Sequence, residues 1–330
     1  MRPRSLDALI LSLALALRAG LDLLRLLRDP GASVQLEDGY NAAAAWLTWH
    51  GGLWSELFAL QYKEFCGGCT VVSALGAPVL GLFGDHLLVW RCLAEAWTLC
   101  TIVLAFLALR AVRREAAWAW ALFMALPPPA LAALGLQLWG NHSEVQLLVW
   151  AAVLAWQRQR PLALGLLLGL GAWFCRTALF AWWLLPLAAW TWRDRRLAPL
   201  GVGLLLGLSP ILIPASAGDA IGYSMGSDLL LGGLGELPAR ALLLGPAELS
   251  DRLYQSASSW PGLLLLLAGL VGSGLAFWRR QGLEVAALPL VFGGGFVLSG
   301  FELGEAHDQI IDARYWAPGG AMLLATAALG

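Results

Sequence analysis

The stretch "LLVWRCLAEAWTLCTIVLAFLAL", residues 87–109, carries only two charges, Arg91 and Glu95. As a helix it would measure about 35 Å, enough to cross a hydrocarbon core roughly 30 Å thick. The two charges stand four residues apart, a spacing that lets them neutralise each other along one helix. The same character extends over the whole chain of 330 residues, which is 59% hydrophobic and only 13% charged, with a mean hydropathy of +0.70. Soluble domains carry about 25% charged residues, so the class is a polytopic membrane protein. A net charge of −1 gives no electrostatic case for a nucleic-acid partner.

Working outward from that stretch, apolar runs recur at 6–27, 87–109, 116–138, 143–157, 161–175, 177–192, 197–216, 260–278, 283–301 and 315–330. The first resembles a signal peptide, with Arg2 and Arg4 ahead of an apolar core and Ala14-Leu15-Ala16 as a cleavage site. Its hydrophobicity continues through Leu27, which favours an uncleaved anchor. Arginines fall on alternate loops: Arg2 and Arg4, then Arg110, Arg113 and Arg114, then Arg158 and Arg160, then Arg193, Arg195 and Arg196, then Arg279 and Arg280. That face is cytoplasmic by the positive-inside rule. The expected architecture is one all-α domain over 1–330, a transmembrane bundle of about ten helices with both termini inside.

The acids gather on the other face, in outer loops 28–86, 218–259 and 302–314. Inner loops are a few residues each, so any chemistry belongs to the outer loops or the cavity beneath them. In the first loop Tyr40, Ala44, Leu47 and Gly51 recur at helical spacing, with Trp46 and Trp49 alongside. This predicts an interfacial helix over 40–50, ended by Gly51-Gly52, and a second over 70–83. Glu37 and Asp38 stand at the start of the first helix. Asp38 there is either an N-cap or a functional carboxylate.

The order "Glu37-Asp38-Gly39-Tyr40", then Ala42 to Ala45, then Gly51, resembles the first outer loop of the GT-C membrane glycosyltransferases, nearest the protein O-mannosyltransferase and aminoarabinose transferase branch. The "LGLFGDHLLVWR" stretch ending at Arg91 is similar to the family's Phe-Gly before an arginine in the second crossing. "ARYWAPGG", with Arg314, Tyr315 and Pro318, resembles its Arg-Tyr-x-x-Pro motif ahead of a late helix. The resemblance spans most of the chain, with the acidic pair in reversed order and fewer helices than many members. It implies transfer of a sugar from a polyprenyl-phosphate donor to a lipid, glycan or protein acceptor, with inversion, on the outer side of a bacterial inner membrane. It implies no cofactor; a divalent metal, which some superfamily members use, stays open, although no ligand cluster here has recognisable spacing.

A carboxylate can take the acceptor's proton as it attacks the anomeric carbon, which makes Asp38 and Glu37 the catalytic candidates, Asp38 first. The leaving phosphate needs a guanidinium on the outer side, where arginine is otherwise disfavoured. Arg314 and then Arg176 fill that description, with Tyr40, Tyr315, His142 and Glu144 as further substrate contacts. Cys66 and Cys69 frame a CxxC on the outer face, expected as a short disulfide rather than a zinc or redox pair. The alternatives are a transporter or flippase of a lipid-linked solute, or a short non-catalytic homologue. The absence of an internal repeat weighs against transport.

Overall fold

The computed structural model describes residues 3–29, 31, 36–52, 54, 67–140, 143–192, 194–216, 251, 254, 258–279, 282–289 and 291. Among the described residues the protein is all-helical, with no strand. The elements are α1 (Pro3–Arg28), α2 (Leu36–His50), α3 (Gly67–Phe83), α4 (Leu87–Val112), α5 (Arg114–Ala125), α6 (Pro129–Leu134), α7 (Val145–Gln157) and α8 (Pro161–Phe174). A 3-10 helix (Arg176–Trp183) then runs into α9 (Leu184–Thr191), followed by α10 (Leu197–Ser216), α11 (Trp260–Arg279) and α12 (Leu283–Ala286). Two of these, α4 and α11, are long and apolar enough to cross a membrane. The last two apolar runs, 283–301 beyond its first residues and 315–330, lie outside the described residues.

The core lies between α4, α5, α7 and α8. Phe106, Trp120 and Trp150 are fully buried there, and the two indoles meet at 6.0 Å with a 51° tilt.

Two expected crossings are not single helices. The run 116–138 breaks after Ala125 because Pro127, Pro128 and Pro129 follow it. Proline has no N–H and pushes the preceding residue out of the α region, so Leu126 leaves the helical conformation, with φ −130° and ψ 66°. Helix resumes only for the six residues of α6, with Pro129 in its first turn. Beyond Gly135 the chain is non-helical to Gly140 and almost entirely buried. The run 177–192 likewise opens as the 3-10 helix before α9. The expected helix 70–83 begins at Gly67 and is packed inward, burying Gly67, Gly68, Cys69, Thr70 and Val72.

Close packing of α8 on α10 rests on glycine. A Cβ at Gly165 would meet the Leu200 carbonyl oxygen, and one at Gly203 would meet that of Leu162. One turn on, Gly169 and Gly207 lie against each other, so the helices run parallel with backbones in contact. Helices in lipid associate through such small-residue seams because burial from water cannot drive them together. Gly203→Leu is expected to destabilise the bundle by about 3 kcal/mol, at the upper end for overpacking. Gly201→Ala, on the same helix but with no atom within 4 Å of the added carbon, is the neutral control. Equal thermal denaturation temperatures for the two variants in detergent would refute the seam.

Candidate functional site

A non-helical segment inside a bundle leaves backbone groups that must find other partners. For the last turn of α6 and the non-helical residues after it, 132–140, these are side chains from surrounding elements. Arg91 Nη1 of α4 donates to the Leu136 carbonyl at 2.5 Å, and Thr98 Oγ1 to the Gly135 carbonyl at 2.8 Å. From α1, Arg18 Nη2 reaches the Ala132 carbonyl at 3.4 Å. Asn41 Nδ2 of α2 donates to the Leu138 carbonyl at 3.0 Å, while the Leu138 N–H donates to Asp38 Oδ1 at 3.0 Å. Glu144 Oε1 accepts the N–H groups of Trp139 and Gly140 at 2.6 and 3.1 Å. The segment is a hub onto which several helices are tied.

The hub decides where Asp38 points. Asp38 is the third residue of α2, and its carboxylate is 1% exposed and turned away from its own helix. Oδ1 also accepts Trp90 Nε1 at 2.7 Å, and Oδ2 faces Arg91 Nη1 at 2.7 Å. The N-cap reading is therefore wrong: both oxygens are engaged by α4 and by the hub. Burial pushes the Asp38 carboxyl above the ordinary carboxylate range, while the Arg91 charge and the Leu138, Trp90 and Arg91 donors pull it back.

Arg91 does not pair with Glu95 as its spacing predicted. It reaches 53 residues back to Asp38, and Glu95 instead lies beside Arg18 and Asp22 of α1. In α1 the same four-residue spacing does pair Arg18 with Asp22. On Arg91, Nη1 serves both Asp38 and Leu136, and the buried Nε and Nη2 have no hydrogen-bond partner among the described residues. Those two nitrogens form one side of the guanidinium, the fork that grips carboxylate or phosphate in a bidentate manner.

Around this pair α2 is two-faced. Asp38, Asn41, Ala45 and Thr48 are buried, while Tyr40, Trp46, Leu47 and Trp49 are exposed. Position 37 is about 100° round the helix from position 38, at the border of the buried arc. The Glu37 side chain itself lies outside the described residues, as does that of Arg176 in the 3-10 helix. His142, Arg314, Tyr315 and Cys66 also lie outside them.

Glu144, expected as a substrate contact, forms the turn ahead of α7. It is buried, holds the two amides already named, and takes a further hydrogen bond from Ser143 Oγ at 3.3 Å. Between α4, α5, α6 and α7 a cavity of about 40 Å³ is lined by Trp97, Thr98, Gln137, Glu144 and Gln146. That is room for a few waters, not for a sugar ring.

Cys69 is disulfide-bonded, with Sγ 3.5 Å from the Trp139 carbonyl oxygen. Gly140 has φ +76°, and an added Cβ there would come within 2.6 Å of the Cys69 backbone, so the start of α3 rests directly on the hub. Cys92 and Cys100 are free thiols, and Cys175 Sγ lies 3.1 Å from Thr177 Oγ1. In isolated, non-reduced membranes Cys69 is expected to resist alkylation until a reductant is added; immediate labelling would contradict the disulfide. No group of three or more His, Cys, Asp or Glu that could hold a metal occurs among the described residues.

Sequence reasoning missed Trp90, Asn41 and the hub itself. Three consecutive prolines inside a presumed crossing were the available signal. No protein-family model, curated protein or solved structure matches this chain.

Proposed function

We propose that this chain is a polytopic membrane glycosyltransferase of GT-C type, with about ten membrane helices and its site on the extracytoplasmic face of a bacterial inner membrane. It would move a sugar from a polyprenyl-phosphate donor to a lipid, glycan or protein acceptor. The observation that carries the reading is the buried Asp38–Arg91 unit beneath α2, in which Arg91 Nε and Nη2 make no hydrogen bond among the described residues. Unmatched guanidinium donors favour an oxyanion, and the phosphate of the donor is one.

The two acids then divide their work. Asp38 has both oxygens occupied, so it anchors α2 and holds Arg91 in place. Glu37, on the next step of the helix, is the base. The acceptor oxygen attacks the anomeric carbon, the bond from that carbon to the phosphate oxygen breaks, and the acceptor proton passes to Glu37. Polyprenyl phosphate leaves on Arg91, with Arg314 and Arg176 as further ligands and Tyr40, Tyr315 and His142 as sugar or headgroup contacts. Single displacement inverts the anomeric centre.

Transport of a lipid-linked solute is the rival, and one observation favours it. Arg18, Asp22 and Glu95 are buried charges between α1 and α4, the kind of group that marks pathways through membranes. Reconstituted protein incubated with a panel of polyprenyl-phosphate sugars separates the two. The transferase releases polyprenyl phosphate and glycosylated acceptor. Donor turnover no greater than in empty vesicles, with the lipid-linked sugar crossing the bilayer, would replace this proposal with transport.

A further inference from the structure

The end of the bundle opposite the hub carries a second charged feature. Because α8 and α10 run parallel with their backbones in contact, their starting ends lie side by side. The turn before α8 holds Arg158 and Arg160, and the 3-10 turn Asp194–Arg196 before α10 holds Arg195 and Arg196. Arg196 Nη1 donates to Gln159 Oε1 at 2.7 Å and ties the two turns together. Gln159 has φ +53°, a left-handed turn that sets the two flanking arginines apart from the helix they follow.

All four arginines are exposed, and no salt bridge to any of them occurs among the described residues. The adjoining turns carry one acid, Asp194, against these four arginines, so like charges predominate and a multivalent anion relieves their repulsion. The neighbouring surface is apolar. Leu162 follows Arg160 and is 49% exposed, Trp190 in the last turn of α9 is 80% exposed, and Val202, Leu205 and Leu206 of α10 are more than half exposed. A free phosphate would have no use for that wall, whereas acyl chains would lie along it. An exposed tryptophan beside arginines is also characteristic of the headgroup level of a bilayer.

We infer that Arg158, Arg160, Arg195 and Arg196 form a site for the phosphate headgroup of an anionic phospholipid, with its acyl chains lying along the exposed faces of α8 and α10. The site is at the opposite end from the proposed transferase chemistry and does not depend on it.

The test uses the full chain purified in mild detergent, with bound lipid counted by native mass spectrometry. Phosphatidylglycerol is titrated against phosphatidylcholine and against inorganic phosphate. Each surface arginine contributes roughly fivefold to anionic-lipid binding, so Arg158→Gln/Arg160→Gln should weaken phosphatidylglycerol about thirtyfold. That variant keeps Arg195 and Arg196 as inside charges. If it does not fold, Arg158→Lys/Arg160→Lys decides, because it preserves charge and loses the bidentate grip, and a clear loss of affinity is expected. Equal binding of phosphatidylglycerol and phosphatidylcholine would overturn the site. So would an unchanged affinity in whichever double variant folds, or displacement of the lipid by equimolar inorganic phosphate.

Discussion

Glu37→Gln is expected to lower the proposed sugar transfer by about 10²–10⁴-fold, the range for losing a general base, while the protein denatures at the parental temperature. The amide keeps the shape and polarity of the side chain but cannot accept the acceptor's proton at neutral pH. Position 37 lies at the rim of the buried arc of α2, and the residues of the Asp38–Arg91 pair and of the hub are themselves unchanged in this variant. Donor binding, measured with the acceptor absent, should stay within about twofold of parent, because only a group acting in the transition state is lost. Full transfer activity in Glu37→Gln would remove the proposed base. If Asp38→Asn were also fully active, the acidic pair would be structural.

Replacing Asp38 has a different signature, a loss of stability before any loss of chemistry. Asp38→Ala leaves Arg91 buried without its counter-charge and orphans the Trp90 indole N–H and the Leu138 amide. Breaking a buried ion pair by removing one partner costs about 3–5 kcal/mol. Arg91→Met should cost a similar amount, since it leaves Asp38 uncompensated and frees the Leu136 carbonyl. The double variant is expected to lose clearly less than the sum, because no unpaired charge is left in it. Denaturant titration in mixed micelles measures all three. Strict additivity would mean that the two residues do not stabilise each other across the 53 positions between them.

The same contrast separates the parts of this protein that local sequence can determine from those it cannot. Helicity and apolar length are properties of short windows, so α4 and α11 were legible from composition alone. The α2 helix was legible too, in its alanine run and in Tyr40, Trp46 and Trp49, all of which are exposed. Arg18 with Asp22 was legible because both partners ride on one helix, where four residues bring them into register. Applied to Arg91 and Glu95, the same rule failed, because tertiary packing offered Arg91 a carboxylate and a carbonyl at once. The triple proline announced that the helix must break. It carried no information about which side chains would take the backbone groups left between Ala132 and Gly140.

Those partners come from α1, α2 and α4 and from Glu144 at the head of α7, separated by up to 114 residues along the chain. No periodicity records such distances. In a bundle where water cannot satisfy an orphaned amide, the nearest polar side chain must, and only the packed structure decides which one is nearest. For that reason Asp38 could be picked out as important from its place before Gly39-Tyr40, yet its task of gripping Arg91, Trp90 and Leu138 emerged only once α2, α4 and the hub had come together.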